Sequence, residues 1–214
     1  MTTRQSELQA RRRAHRRDAR RRLLDAAHGL LEEKPWAEIS LDDITSTAQV
    51  ARTAFYRHFE DRQHLLMAML DDVGLELDHV ADDWMADADD PVAELRRSLD
   101  GLTSVFVEHG RLIQAISDTA RRDPEIGALY LALADRLAAN TARRIEADIA
   151  AGRCRLAEPG EVARALTWMN ERYLLACFGQ RPFSDRVPHQ KEAAAALTTV
   201  WINTLYGAPP ATEQ

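Results

Sequence analysis

The amino-acid sequence predicts an all-α protein of about nine helices, split into a short N-terminal unit and a larger C-terminal bundle. Apolar residues recur at helical spacing almost throughout, as in Leu23, Ala27, Leu30 and Leu31, or in Leu129, Leu133, Leu137 and Thr141. No segment alternates as a half-buried strand would. Caps, prolines and glycines punctuate the apolar pattern where helices should begin and end.

In chain order, residues 1–14 read as a disordered basic arm, too rich in arginine to bury a core. The first helix follows and stops at Pro35. Ser40-Leu41-Asp42-Asp43 forms a capping box that opens a short second helix. After Thr47-Ala48-Gln49-Val50 comes a third helix of similar length, ending near Phe59. These three helices are expected to form one domain over residues 15–62, with residues 63–214 forming the bundle. Within the bundle, Asp90-Pro91 supplies a cap and a proline at the first helical position. Gly152 ends a long helix begun near residue 125, and Pro159 opens another that lasts to about Cys177. The final helix should run from about Pro188 to Tyr206, halted by Gly207 and Pro209-Pro210.

Charge is unevenly distributed. The 214 residues carry a formal net charge of −6, which argues against a protein that coats nucleic acid indiscriminately. Residues 1–22 hold nine arginines against Glu7 and Asp18, a balance of +7, so the rest of the chain carries −13. A basic head on an acidic body suggests that one end meets a polyanion. No apolar run approaches the roughly 18 residues that span a bilayer, and no apolar segment of signal-peptide type follows the basic start. We therefore expect a cytoplasmic protein without membrane partners. Cys154 and Cys177 are too few for a disulfide framework and lack zinc-ligand spacing. No metal and no cofactor are expected. A nucleophile elbow, a phosphate-cradling glycine loop and a metalloprotease His-Glu-x-x-His are all missing, so no catalytic residues are assigned and the chain does not read as an enzyme.

The stretch "VARTAFYRHF", residues 50–59, crowds three aromatic rings among cations. Helices this short are marginal alone and must be held by packing, here through Leu41, Ile44, Ala48, Val50, Phe55 and Phe59. With Phe55 and Phe59 inward, the third helix shows Arg52, Thr53, Tyr56 and Arg57 outward, with His58 beside them. That face offers donors and no carboxylate, which suits a major groove walled by phosphates. The arrangement is a helix-turn-helix, and its partner would be a double-stranded DNA operator.

At these residues the sequence resembles the N-terminal domain of TetR-family repressors, in which Asp-Ile-Ala and Ala-Gly-Val-Ser precede Thr-Leu-Tyr-x-His-Phe and a capped fourth helix. Here the text is "LDDITSTAQVARTAFYRHFEDRQHLLMAML". The resemblance implies that Ser40 and Tyr56 touch phosphate, that Arg52 and Thr53 reach base edges, and that Arg62 grips the backbone. His58 either joins them or packs within the domain. Four positions depart from the pattern. Thr45 stands where two helices cross closely, Gln49 replaces the turn glycine, Ala51 replaces the capping serine, and Ala54 replaces a threonine. A softer DNA-reading unit follows, because positive φ at Gln49 costs about 1 kcal/mol and the lost cap roughly 0.5–2 kcal/mol.

Beyond residue 70 the basic clusters fade. The last two helices are the expected homodimer seam, with Ala194, Ala195, Ala196, Thr198 and Thr199 allowing close approach and Leu197, Trp201 and Leu205 filling it. Packing within the chain would use the same pattern. In "ALTWMNERYLLACF", Asn170 shares a helical line with Leu166, Thr167, Leu174 and Cys177, placing an amide in an apolar face. Its partner is a ligand, a neighbouring helix or the dimer mate. Here the sequence resembles the EthR-like branch of the family, and the resemblance implies an apolar tunnel for a small apolar effector. Thr141, Asn170 and Trp201 match its lining and Tyr130 an aromatic there, whereas Leu137 and Thr167 replace tryptophan and asparagine. The resemblance implies a ligand-released repressor; an activator, or a regulator without a ligand, stays open.

Overall fold

The computed structural model describes residues 2–85, 90–180 and 187–207, with side chains from residue 18 in the first helix and up to residue 81 in the fourth. Pro209-Pro210, expected to close the last helix, lies outside the described residues. Among those described there are eight α-helices, one 3-10 turn and no strand: α1 Thr2–Glu33, the turn Trp36–Glu38, α2 Leu41–Thr47, α3 Arg52–Phe55, α4 Arg62–Met85, α5 Pro91–Ala120, α6 Pro124–Ala150, α7 Pro159–Phe178 and α8 Gln190–Leu205. The sequence suggests about nine helices, close to the eight and the single 3-10 turn among the described residues. None of the described helices is long and apolar enough to cross a membrane.

Two compact units divide between Leu70 and Asp71, inside α4, and not at residues 62 and 63. Arg62 opens α4, but Leu65, Leu66, Met69 and Leu70 remain buried, so the first turns of that helix count with the N-terminal unit.

In the N-terminal unit α1 packs on α2 and α3 through Leu23, Ala27, Leu30 and Leu31, all buried. The backbone is helical from Thr2, where a disordered arm is expected over residues 1–14. Arginine, alanine, glutamine and leucine dominate that stretch and neither glycine nor proline interrupts it, so helix propensity favours continuation. Ser40 caps α2: its Oγ accepts from Asp43 N at 3.0 Å while Asp43 Oδ2 accepts from Ser40 N at 2.8 Å. Lys34 donates to the same Asp43 carboxylate at 2.9 Å. That bond, with the Ser40 contacts, holds Asp43 down at about 2.

In the C-terminal unit α5 contacts α6, α7 and α8, and α6 lies along α7. Gly110 lets α5 approach closely, since a Cβ there would fall 2.4 Å from the Phe178 carbonyl oxygen. Asp90 and Asp123 cap α5 and α6, each before a proline. At the far end of α6, Asp148 is 1% exposed and accepts from Arg153 Nη2 at 2.7 Å and from the Tyr206 hydroxyl at 2.5 Å. Charge and hydrogen bonds compensate its burial, and the network ties the end of α8 to α6. Cys154 and Cys177 are both free and buried, and burial pushes both thiols up, so they stay protonated.

Candidate nucleic-acid interface

The turn between α2 and α3 is built from backbone bonds. Val50 N donates to Thr45 O at 3.0 Å and Gln49 N to Ser46 O at 3.0 Å, the pair of bonds that defines a Schellman end. Gln49 sits in its left-handed position with φ 51°, where glycine is usual, as Gly152 is with φ 72° at the end of α6. Arg22 of α1 donates to the Gln49 carbonyl at 3.1 Å, so the basic first helix steadies the turn. The Thr45 hydroxyl donates to Leu41 O at 3.0 Å, which satisfies a polar group buried at the crossing.

One turn of α-helix, Arg52–Phe55, is all that α3 keeps; looser turns carry the chain on to Phe59, whose N–H donates to Phe55 O at 3.0 Å. Ala51 caps α3 without a side-chain bond. Phe55 and Phe59 are buried with ring centroids 5.6 Å apart, anchoring the segment as expected, while Val50 is only half-buried. Arg52, Thr53, Tyr56 and Arg57 are exposed, Tyr56 by 53%. His58 is half-buried, its ring 6.4 Å from that of Phe59.

Ser40, Tyr56 and Arg62 come together around one groove of about 410 Å³, which Ile39, Leu41 and Gln63 line with them, as do the acidic residues Glu38, Glu60 and Asp61. Arg62 lies over the Trp36 ring, 5.5 Å from its centroid, which fixes a long cation at the groove wall. Asp61 is engaged as a cap for α4, accepting from His64 N at 2.8 Å. The reading of α3 as a face without a carboxylate needs an addition: Asp42 of α2 pairs with Arg52 at 2.8 Å, and Arg52 Nη2 lies 3.5 Å from the Tyr56 hydroxyl. Spacing within α3 could not reveal a partner supplied by another helix.

In the C-terminal unit, Tyr130, Leu137 and Thr141 recur along one face of α6 and are half-buried, as is Thr167 on α7. Asn170 and Trp201 are buried and meet directly, the indole N–H donating to Asn170 Oδ1 at 3.0 Å. The buried amide therefore bonds a neighbouring helix. Tyr130 donates to Glu171 at 2.6 Å and stacks edge-on against Trp168. Burial first, then the Glu171 carboxylate, pushes the phenol above its usual range. Glu171 has no apolar periodicity to announce it. Leu197, Trp201 and Leu205 do not fill a seam between chains; they are buried within this one, against α5 and α7. Ala194 and Thr198 are buried too, whereas Ala195, Ala196 and Thr199 are exposed.

Residues 23–69 match the family described as bacterial regulatory proteins, tetR family. Residues 95–207, just over half of the chain, match the C-terminal domain of the transcriptional regulator EthR. The chain belongs to the TetR family of transcriptional regulators. It is similar to the HTH-type transcriptional regulator EthR of Mycolicibacterium smegmatis, 29% identical over 192 residues that cover 88% of this chain and 86% of the relative. EthR of Mycobacterium tuberculosis strain H37Rv is 29% identical over 189 residues, 86% of each. The fold is that of a TetR-family regulator from Syntrophomonas wolfei, with a TM-score of 0.71 at 18% identity over 87% of this chain and 94% of that one. PfmR from Thermus thermophilus gives a TM-score of 0.70 at 21% identity over 86% and 98%. As a TetR-family member the protein is a DNA-binding regulator and not an enzyme. The N-terminal match ends within the buried first turns of α4, and the C-terminal match begins in α5.

Proposed function

We propose that the protein is a cytoplasmic, homodimeric repressor that binds a palindromic operator and is released from it by a small apolar effector. Ser40, Tyr56 and Arg62 hold phosphates, Arg52 and Thr53 reach base edges, and Arg57 adds backbone charge, with His58 as packing at the edge of the surface. The observation that carries this reading is the convergence of Ser40, Tyr56 and Arg62 on one groove beside the outward face of α3. A phosphate seated there would orient the short helix, leaving base edges to Arg52 and Thr53. Dimerisation uses the exposed small face of α8, Ala195, Ala196, Thr199 and Asn203, together with α7. One turn of helix reads too few base pairs for selectivity, so two copies are needed.

The effector would lie among Tyr130, Leu137, Thr141, Thr167, Asn170 and Trp201. Indole N–H groups only donate, so the bond to Trp201 turns the Asn170 oxygen toward the indole and leaves the amide NH2 to donate to a ligand. Effectors with a carbonyl acceptor on an apolar body fit that offer. The test is DNA binding by the full-length protein to its own upstream region at physiological salt, repeated with neutral carbonyl-bearing lipophiles of graded chain length. Retarded DNA, a dimer by sedimentation and release by a subset of these compounds support the reading. A monomer that ignores the upstream DNA ends it.

A further inference from the structure

We propose that Asp42 sets DNA specificity by occupying Arg52: the pair keeps this guanidinium from serving as a general phosphate ligand, so Arg52 strengthens binding on the sequence it reads. The inference rests on the reading of Arg52 as a base contact.

Asp42 is the second residue of α2 and Arg52 the first of α3, and the turn at Gln49 brings them to 2.8 Å, Asp42 Oδ1 to Arg52 Nη1. Both side chains stand in solvent, 76% and 56% exposed, so nothing in the core requires the pair. Helix capping does not require Asp42 either, because the capping box closes through Asp43, which also takes the Lys34 ammonium. A carboxylate on a surface that approaches one phosphate charge per roughly 1.7 Å of duplex is repelled. Its placement makes sense as a counter-charge. Arg52 also lacks support of its own, since α3 is a single turn without a side-chain cap. A guanidinium free at that position would settle on any phosphate within reach. Paired with Asp42 and within reach of the Tyr56 hydroxyl, it contributes little net charge to sequence-independent contact. A guanine edge is uncharged and offers two acceptors in the plane of the fork, so it can share the guanidinium with Asp42, whereas an anionic phosphate is repelled by the adjacent carboxylate.

The experiment uses the full-length protein, a duplex enriched by it from randomised DNA, and a scrambled duplex of equal length. Affinities are measured across a salt series for wild type, Asp42→Asn, Arg52→Ala and the double variant. Asp42→Asn is expected to bind scrambled DNA about two- to fivefold more tightly, the range of an exposed ion pair, with a salt slope steeper by about 0.9. Its selected-to-scrambled affinity ratio should fall, and in the Arg52→Ala background the same change should leave the ratio alone. Equal tightening on both duplexes would mean bare charge repulsion and overturn the proposal. So would equal weakening on both together with a lowered melting temperature, which would mark Asp42 as structural. A ratio untouched by Arg52→Ala removes the base-contact reading, and the proposal with it, by a separate result.

Discussion

The indole N–H of Trp201 donates to Asn170 Oδ1 at 3.0 Å inside the C-terminal unit, joining α8 to α7 through two buried side chains. Neither partner has an easy substitute, because a buried donor without an acceptor costs about 1–3 kcal/mol.

Asn170→Leu should therefore lower stability by about 1–3 kcal/mol, and Trp201→Phe by about 1 kcal/mol. The double variant removes both polar groups and should cost less than the two single changes together, a coupling visible in urea denaturation midpoints. Additive losses would show that the bond contributes nothing beyond its two residues.

Gln49 at φ 51° and the bare cap at Ala51 leave the DNA-reading turn under-supported. Gln49→Gly relieves roughly 1–2 kcal/mol of left-handed strain but adds chain entropy to the unfolded state, for a net gain of about 0.5–1 kcal/mol. Ala51→Ser should add roughly 1 kcal/mol by capping α3. Hydrogen exchange over residues 51–58 reports both: fast without DNA in wild type, slower in either variant. Protection equal to the core in the wild-type protein would refute a soft reading unit.

Asp43 titrates at about 2 in the folded chain, below its ordinary 3.8, chiefly through Lys34. A depressed carboxylate stabilises above its unfolded value and loses that contribution as pH falls through the folded one. Stability should thus decline between about pH 4 and pH 2, and the decline should be smaller in Asp43→Asn and in high salt, measured by circular dichroism melts across that window.

Residues 1–17 include six arginines against Glu7. Deleting them should weaken operator binding and flatten its dependence on salt, since each lost phosphate contact removes about 0.9 from the slope. An unchanged slope would rule out contact between these residues and DNA.

Much of the fold was legible because its signals are local. The Ser40 capping box, the Asp90-Pro91 start, the Gly152 stop and the inward Phe55 and Phe59 all sit where sequence pattern puts them. The strain at Gln49 was readable from a missing glycine. What escaped depends on partners distant in sequence: Asp42 on Arg52, Arg22 on the Gln49 carbonyl, Glu171 on Tyr130. Leu197, Trp201 and Leu205 misled for a related reason, since large apolar residues look alike whether they face a second chain or their own core. The helical course of the first residues was hidden by charge, which suggests disorder while the same arginines favour helix.

The most direct test of the account is selection of DNA from a randomised pool by the full-length protein and by Arg52→Ala. The account predicts a twofold-symmetric enriched site for wild type and relaxed preference at one position in each half for the variant. No enriched sequence, or the same sequence at the same stringency from both proteins, would contradict it.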